Sequence, residues 1–152
     1  MQKYILVSSV GKGSQELNSF DDALFQSKIA NYNLVKISSI LPPNAKRCET
    51  IDLKEGSILH TAYAQITIKE KGEHVAVAVA VGIPQNPQNI GVIMEFSAHC
   101  DKMQAEANVK AMVLEAMNLR GYAVSDILCA SSEATGNGNE FITAFAALAI
   151  WD

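Results

Sequence analysis

The sequence has few cysteines and no long apolar run. Its three cysteines, Cys48, Cys100 and Cys129, are an odd number and form no C-x-x-C pair, which argues against a disulfide framework. No segment reaches the roughly 18 consecutive apolar residues that a membrane helix needs, and the apolar start is too short for a signal peptide. We therefore expect a cytoplasmic protein with reduced thiols and no membrane contact.

Charge is also scarce, and the histidines are scattered. Charged residues make up 18% of the chain and hydrophobic residues 49%, the balance of a globular protein. The formal net charge of −4 argues against a nucleic-acid partner. His60, His74 and His99 lack the paired spacing of metal ligands, so no metal site is expected. The length, with no linker-like run, predicts a single domain over 1–152.

Hydrophobic periodicity predicts several strands and two amphipathic helices. One helix is expected from a cap at Ser19 to about Lys28, and the other over 102–119, between a cap at Asp101 and a stop at Gly121. Gly72 is predicted to be the turn of a hairpin between two strands. The predicted fold is α+β, a layered αββα sandwich of mainly antiparallel strands with two main helices. The predicted strands are 3–9, 33–41, 58–69, 74–83, 90–97, 123–133 and 140–151.

The segment 75–81 alternates valine and alanine and has no polar face. Such a strand is covered on both faces, either by a second layer or by a subunit contact. Glycines and serines follow the first strand, in Gly11-Lys12-Gly13-Ser14, but the spacing of a phosphate-binding loop is absent, and a tight turn explains them.

The segment 33–43, N-L-V-K-I-S-S-I-L-P-P, carries the most chemical information. Ser38 and Ser39 lie at the end of a hydrophobic strand, just before two prolines that force the chain out of the sheet. Such a place can hold a peptide bond under strain, and a hydroxyl there can attack the preceding carbonyl if a donor stabilises the oxyanion. Paired serines at a strand end are common, so their position alone does not assign this chemistry.

Two stretches carry a resemblance to a known family: GKGSQELNSFDDALFQSKIANYNLVKISSILPP, from 11 to 43, and GVIMEFSAHCDKMQAEANVKAMVLEAMNLRGY, from 91 to 122. Both resemble the pyruvoyl-dependent arginine decarboxylases, and the likeness extends over nearly the whole chain. The resemblance implies decarboxylation of arginine to agmatine and carbon dioxide, with a covalent pyruvoyl group as the cofactor. No ordinary side chain offers the ketone that this electron sink requires.

The same resemblance implies how the pyruvoyl group forms. Ser39 Oγ attacks the Ser38 carbonyl, and the amide becomes an ester. Elimination then releases residues 1–38 as a short β chain and leaves dehydroalanine at position 39. Hydrolysis with loss of ammonia leaves the pyruvoyl group at the start of the α chain, 39–152.

The resemblance also implies the other site residues. Glu95 is the catalytic acid, and its apolar neighbours in 92–96 predict a buried carboxyl whose charged form is disfavoured. Asp21 binds the guanidinium, with Asp22 an ambiguous neighbour. Leu24 packs on the substrate stem, and Asn33 has a second possible role as the oxyanion donor. The implied substrate-binding residues are Asp21, Leu24, Asn33, Ser38 and Ile40.

Two alternatives stay open at this stage, and one residue departs from the family. The chain is alternatively a non-processing, non-catalytic amine-binding relative, or a decarboxylase of another basic amino acid. Ala30 stands where relatives commonly have glycine, and its methyl group could narrow the approach to the substrate. Relatives form trimers, sometimes paired into hexamers, with active sites between subunits, so a homotrimer or hexamer is expected.

Overall fold

The computed structural model describes residues 2–152 and folds them into two sheets flanked by two helices. No helix in this described part is long and apolar enough to cross a bilayer. The helices are α1 (Glu16–Gln26) and α2 (Lys102–Leu119). The strands are β1 (Lys3–Gly13), β2 (Asn33–Lys36), β3 (Ile40–Leu41), β4 (Lys46–Arg47), β5 (Ile58–Ile68), β6 (His74–Pro84), β7 (Gly91–Ala98), β8 (Val124–Thr135) and β9 (Phe141–Trp151).

The two sheets lie face to face. The first has the strand order β2-β5-β9-β1-β4, and the second has the order β3-β7-β6-β8. The long ladders are antiparallel, whereas the short pairs β1–β4 and β2–β5 are parallel. Helix α1 packs on β1 and β9 of the first sheet, and α2 packs on the second. The predicted α+β sandwich with helices on the outer faces is confirmed.

Strand β6 explains how the layers are held together. Its valines, from Val75 to Val81, are fully buried in the core between the two sheets. Its alanines, from Ala76 to Ala80, are fully buried on the opposite face, beneath α2. Because both faces are covered within one chain, the second-layer alternative is correct for this strand, and it needs no subunit contact.

Helix α2 is confirmed at both ends. The Asp101 carboxylate accepts a hydrogen bond from the Gln104 backbone N–H at 2.7 Å, which caps the first turn. Gly121 ends the helix with a φ of +69°, a conformation that glycine adopts without steric cost. The buried stripe includes Val109 and Val113, as predicted.

Helix α1 begins earlier than predicted, at Glu16, and Ser19 is not its cap. The Ser19 hydroxyl instead donates to the Glu16 carbonyl at 2.7 Å and lies 2.8 Å from the Thr143 hydroxyl of β9. Ser19 is therefore a buried contact between helix and sheet. The helix ends at Gln26, because Lys28 adopts a left-handed φ of 62°.

Strand β1 continues through the glycines that were predicted to form a turn. It pairs with β9 from Lys3 to Gly13 without interruption. A Cβ atom on Gly11 would lie 2.1 Å from the Ala23 backbone nitrogen, so the absence of a side chain lets α1 approach the strand.

Two predictions about the strands are wrong, one in the pairing and one in the number of strands. Strands β5 and β6 follow one another along the chain but do not form a hairpin, since β5 pairs with β9 and β6 with β7 and β8. The predicted strand 33–41 is two strands, and they belong to different sheets. The segment between β2 and β3 therefore crosses from one layer of the sandwich to the other.

Candidate active site

The paired serines lie in the crossing segment 37–39. On its first side, the Ile37 N–H donates to the Thr61 carbonyl at 3.2 Å and extends the ladder between β2 and β5. On its other side, Ile40 pairs with Val92 of β7. The Ser38–Ser39 peptide thus lies where the chain has left one sheet and is about to join the next.

Ser39 is anchored and Ser38 is exposed. The Ser39 carbonyl accepts a hydrogen bond of 2.7 Å from the Ile93 N–H, which fixes the residue to β7. Neither serine has a left-handed backbone conformation, since the non-glycine residues with positive φ within 2–152 are Lys28 and Asn44. The distinctive feature of the Ser38–Ser39 peptide is that the carbonyl group of Ser39 is hydrogen-bonded to β7.

Glu95 lies on the same strand as this anchor. It pairs with Val79 of β6, whose side chain faces the core between the sheets, so Glu95 faces the same layer. Ile93 also faces that layer, and Glu95 is about 7 Å further along the strand. Glu95 therefore lies on the side of β7 that the crossing segment approaches.

The expected burial of Glu95 among apolar neighbours is not found. Its sequence neighbours Met94 and Phe96 pack on the opposite face of the sheet, beneath α2. This follows from the alternation of side chains along a strand. The Glu95 side chain is 27% exposed and forms an ion pair with Lys36, with 3.3 Å between Oε2 and Nζ.

Lys36 lines a cleft together with Glu95, and it is not among the site residues predicted from the sequence. Its ammonium also donates to the Tyr63 carbonyl at 3.1 Å and lies 4.6 Å from the centroid of the Tyr63 ring. The available signal is a charged residue between the apolar residues Val35 and Ile37, two positions before Ser38. The cleft has a volume of about 210 Å³ and is lined by Lys36, Tyr63, Ala64, Gln65, Glu95, Phe96 and Ser97.

A second open cavity lies beside Ser38. It has a volume of about 300 Å³, and Ser38 and Ile40 line it together with Pro42 and His60. Ile40 is 39% exposed. Ser38 and Ile40 line this cavity and Glu95 lines the first cleft, while Ser39 and Ile40 are attached to the strand that carries Glu95.

Asp21 and Asp22 differ in their contacts. The Asp22 carboxylate accepts hydrogen bonds from the Lys12 N–H at 2.8 Å and from the Gln26 side chain at 3.3 Å. Asp21 is exposed on α1, and within residues 2–152 its carboxylate has no protein hydrogen-bond partner. The geometry therefore favours Asp21 over Asp22 as the carboxylate available to a ligand.

Leu24 and Asn33 also lie away from the serines. Leu24 is 9% exposed and packs between α1 and the first sheet. The Asn33 side chain donates to the Gly56 carbonyl at 2.7 Å at the start of β2. An extended strand places Asn33 about 13 Å from Ile37, so within one chain its amide does not reach the Ser38 carbonyl.

The predicted site residues thus form two groups on one chain. Ser38, Ser39 and Ile40 lie beside β7, the strand that carries Glu95, whereas Asp21, Leu24 and Asn33 lie with α1 and the start of β2. The first group can supply a nucleophile, an attackable carbonyl and a proton donor. The second can supply a carboxylate for a cation.

Fold and site together define a two-sheet α+β protein whose paired serines lie beside the strand that carries the glutamate. Residues 3–152 match the family described as pyruvoyl-dependent arginine decarboxylase. The pyruvoyl-dependent arginine decarboxylase of Methanococcus aeolicus is 40% identical over 146 residues, which cover 96% of this chain and 87% of that protein. Those of Methanococcus vannielii and Methanocaldococcus jannaschii are 38% and 36% identical, with 96% of this chain and 88% and 87% of those proteins covered.

The chain belongs to the pyruvoyl-dependent arginine decarboxylase family. The resemblance drawn from the segments 11–43 and 91–122 is confirmed, and with it the class of enzyme and the pyruvoyl cofactor.

Proposed function

We propose that this chain cleaves itself between Ser38 and Ser39 and then decarboxylates arginine to agmatine and carbon dioxide. The observation that carries the proposal is the position of the Ser38–Ser39 peptide. It lies in the crossing between the sheets, fixed to β7 through the Ser39 carbonyl, with Glu95 on the same strand and face.

Self-cleavage converts one serine into the cofactor. Ser39 Oγ attacks the Ser38 carbonyl, the amide becomes an ester, and elimination releases the Ser38 carboxylate at the end of 1–38. Hydrolysis of the remaining dehydroalanine releases ammonia and leaves the pyruvoyl group on residue 39. The residues present fit this group, because the hydrogen bond from Ile93 holds residue 39 on β7 when the preceding bond breaks.

The pyruvoyl group supplies an electron sink for decarboxylation, and the remaining steps belong to the side chains. Glu95 delivers a proton to the carbon that has lost carbon dioxide. This role is supported by the position of Glu95, which lines the cleft and lies about 7 Å along β7 from Ile93, the residue that anchors Ser39. Ile40 and the new Ser38 carboxylate border the adjoining cavity, where the substrate contacts them.

The guanidinium binds the Asp21 carboxylate of a second copy of the chain. A planar guanidinium matches a carboxylate in two parallel hydrogen bonds, and Asp21 is the exposed acid of the pair at 21–22. Leu24 and Asn33 belong to the same half of the site, with Asn33 the donor to the oxyanion during cleavage. Within one chain these residues lie away from the serines. The proposal therefore pairs them with the serines of a neighbouring copy.

Exposed apolar residues on this half support a homotrimer or hexamer. Leu17 and Phe25 of α1 are 76% and 67% exposed, and Ile58 beside β2 is 59% exposed. Strand β2 is also an edge of the first sheet, where backbone groups are available to a neighbour. The same proposal includes a cytoplasmic location. It is supported by the three free cysteines, because thiols stay reduced in a reducing compartment.

Intact mass measurement tests the cleavage. Purified protein is expected to give two polypeptides, residues 1–38 and a 39–152 chain that begins with the pyruvoyl group. Carbon dioxide release from carboxyl-labelled arginine measures turnover in the same material. The Ser39→Ala variant is expected to remain one polypeptide and to release no carbon dioxide, because its side chain offers no nucleophile.

An uncleaved wild-type chain with no turnover would make the protein a non-catalytic relative. Cleavage together with faster turnover of lysine or ornithine than of arginine would keep the chemistry and change the substrate.

A further inference from the structure

Lys36 is a charged residue of the cleft to which the proposed reaction assigns no task. Its ammonium is held by two groups besides Glu95, the Tyr63 carbonyl at 3.1 Å and the Tyr63 ring at 4.6 Å. A lysine side chain loses rotational freedom when it is held in this way. The ammonium therefore has a defined position from which it can orient a partner.

The partner is the Glu95 carboxylate, 3.3 Å from the ammonium. Glu95 lies on β7 of the second sheet, whereas Lys36 and Tyr63 lie on β2 and β5 of the first. The ion pair thus joins the two sheets at the edge where the chain crosses between them. The side chains of Lys36 and Glu95 are 55% and 27% exposed, and ion pairs as exposed as this add little stability.

We infer that Lys36 is a positioning residue for Glu95, which holds the Glu95 carboxyl group in the cleft for delivery of its proton. This inference rests on the proposed function, since it assigns Lys36 to the proton delivery by Glu95. A proton donor must lie within hydrogen-bond reach of the atom that receives the proton, so a protonated carboxyl group that is not held in place donates its proton less often.

The pair also spans the bond that is proposed to break. Lys36 belongs to residues 1–38 and Glu95 to residues 39–152, so after cleavage the short chain supplies the group that orients the acid of the long chain. This gives the released fragment a part in turnover and not only in folding.

Three variants of Lys36 test the inference in the full-length, processed protein. Lys36→Met retains the apolar stem and removes the charge, and Lys36→Gln also keeps a donor for the Tyr63 carbonyl. Lys36→Arg retains the charge and the donors. Lys54→Met, which changes an exposed lysine in the loop before β5, is the matched control.

Turnover is counted per processed subunit by intact mass, so that slow cleavage does not imitate slow catalysis. We expect Lys36→Met and Lys36→Gln to lower kcat at least about tenfold with KM for arginine within about twofold of wild type. Lys36→Arg is expected to recover most of kcat, and Lys54→Met to leave both constants unchanged. Because both Lys36→Met and Lys36→Gln remove the charge, the effect on kcat can still be measured with one variant if the other fails to fold or cleave.

A double-mutant cycle with Glu95→Gln separates orientation of Glu95 from any other role. If Lys36 acts through Glu95, Lys36→Met causes no further loss of kcat when Glu95 is already glutamine. An equal loss in both backgrounds, or a kcat for the charge-removing variants within about twofold of wild type, would overturn the inference. Failure of the wild-type protein to cleave or to release carbon dioxide would instead contradict the proposed function.

Discussion

At the scale of single residues, the neighbouring acids Asp21 and Asp22 on α1 have different contacts. Asp22 accepts hydrogen bonds from the backbone before the helix and from Gln26, so its carboxylate connects α1 to the end of β1. Asp21 is exposed and turned to no protein donor within residues 2–152. The sequence D-D leaves the two equivalent, and the folded contacts distinguish them.

Substitution of each acid by its amide follows from this difference. Asp21→Asn is expected to raise KM for arginine about 10- to 100-fold, because hydrogen bonds to a charged group contribute about 1.5–3 kcal/mol. Asp22→Asn is the matched control and is expected to lower the melting temperature with little change in KM. Steady-state kinetics and thermal unfolding measure both. An unchanged KM for Asp21→Asn would mean that another group binds the guanidinium.

At the scale of elements, the loop between β4 and β5 is tied to the sandwich by Asp52. Its carboxylate accepts hydrogen bonds of 2.6 Å from the Lys3 ammonium of β1 and from the Trp151 indole N–H of β9. The hydrogen bond from Lys3, followed by that from Trp151, lowers the pKa of Asp52 below its usual value of 3.8. One side chain thus joins the loop to two neighbouring strands.

This tie predicts a loss of stability in acid. A carboxyl whose pKa is lower in the folded than in the unfolded protein stabilises the fold above the unfolded value, here 3.8, and ceases to do so as pH falls through the folded value. Asp52→Asn is therefore expected to lower the melting temperature at pH 7 and to have less effect near pH 2. Glu49→Gln, in the same loop, is the control. An equal difference at both pH values would contradict the assignment.

The elements also show how far sequence reasoning reaches. Helix α2 was predicted to its ends because Asp101 and Gly121 are local signals. The false hairpin at Gly72 and the single strand 33–41 have a different origin. Alternation of apolar residues indicates a strand but not the strand with which it pairs. The antiparallel partner of β5 is β9, far along the chain, whereas β6 turns back on β7, the next strand after it.

The same limit applies to the site. Family resemblance predicts Ser38, Ser39 and Glu95 as site residues, but the contact between Lys36 and Glu95 exists only because β2 and β7 belong to facing sheets. The apolar environment expected for Glu95 was wrong for a related reason. Side chains of adjacent residues in a strand point to opposite faces of the sheet. Met94 and Phe96 therefore lie on the face opposite to that of Glu95.

At the scale of the whole molecule, an active site within one chain and a site between copies make different predictions. Asp21 lies on α1, outside the first sheet, whereas Ser39 and Glu95 are held by β7 of the second. The buried strand β6 gives no reason for a partner, because its own chain covers both faces. The case for assembly depends instead on the separation of the two halves and on the exposed apolar residues of α1.

Co-expression of two inactive variants tests this arrangement. Asp21→Asn retains a working Glu95, and Glu95→Gln retains a working Asp21. If each site combines Asp21 of one subunit with Glu95 of the next, random assembly of equal amounts restores both groups in about a quarter of the sites. We therefore expect about a quarter of wild-type turnover from the mixture, although each variant alone is nearly inactive at low arginine. If both groups acted within one chain, every site would carry one defect, and the mixture would be no more active than its components.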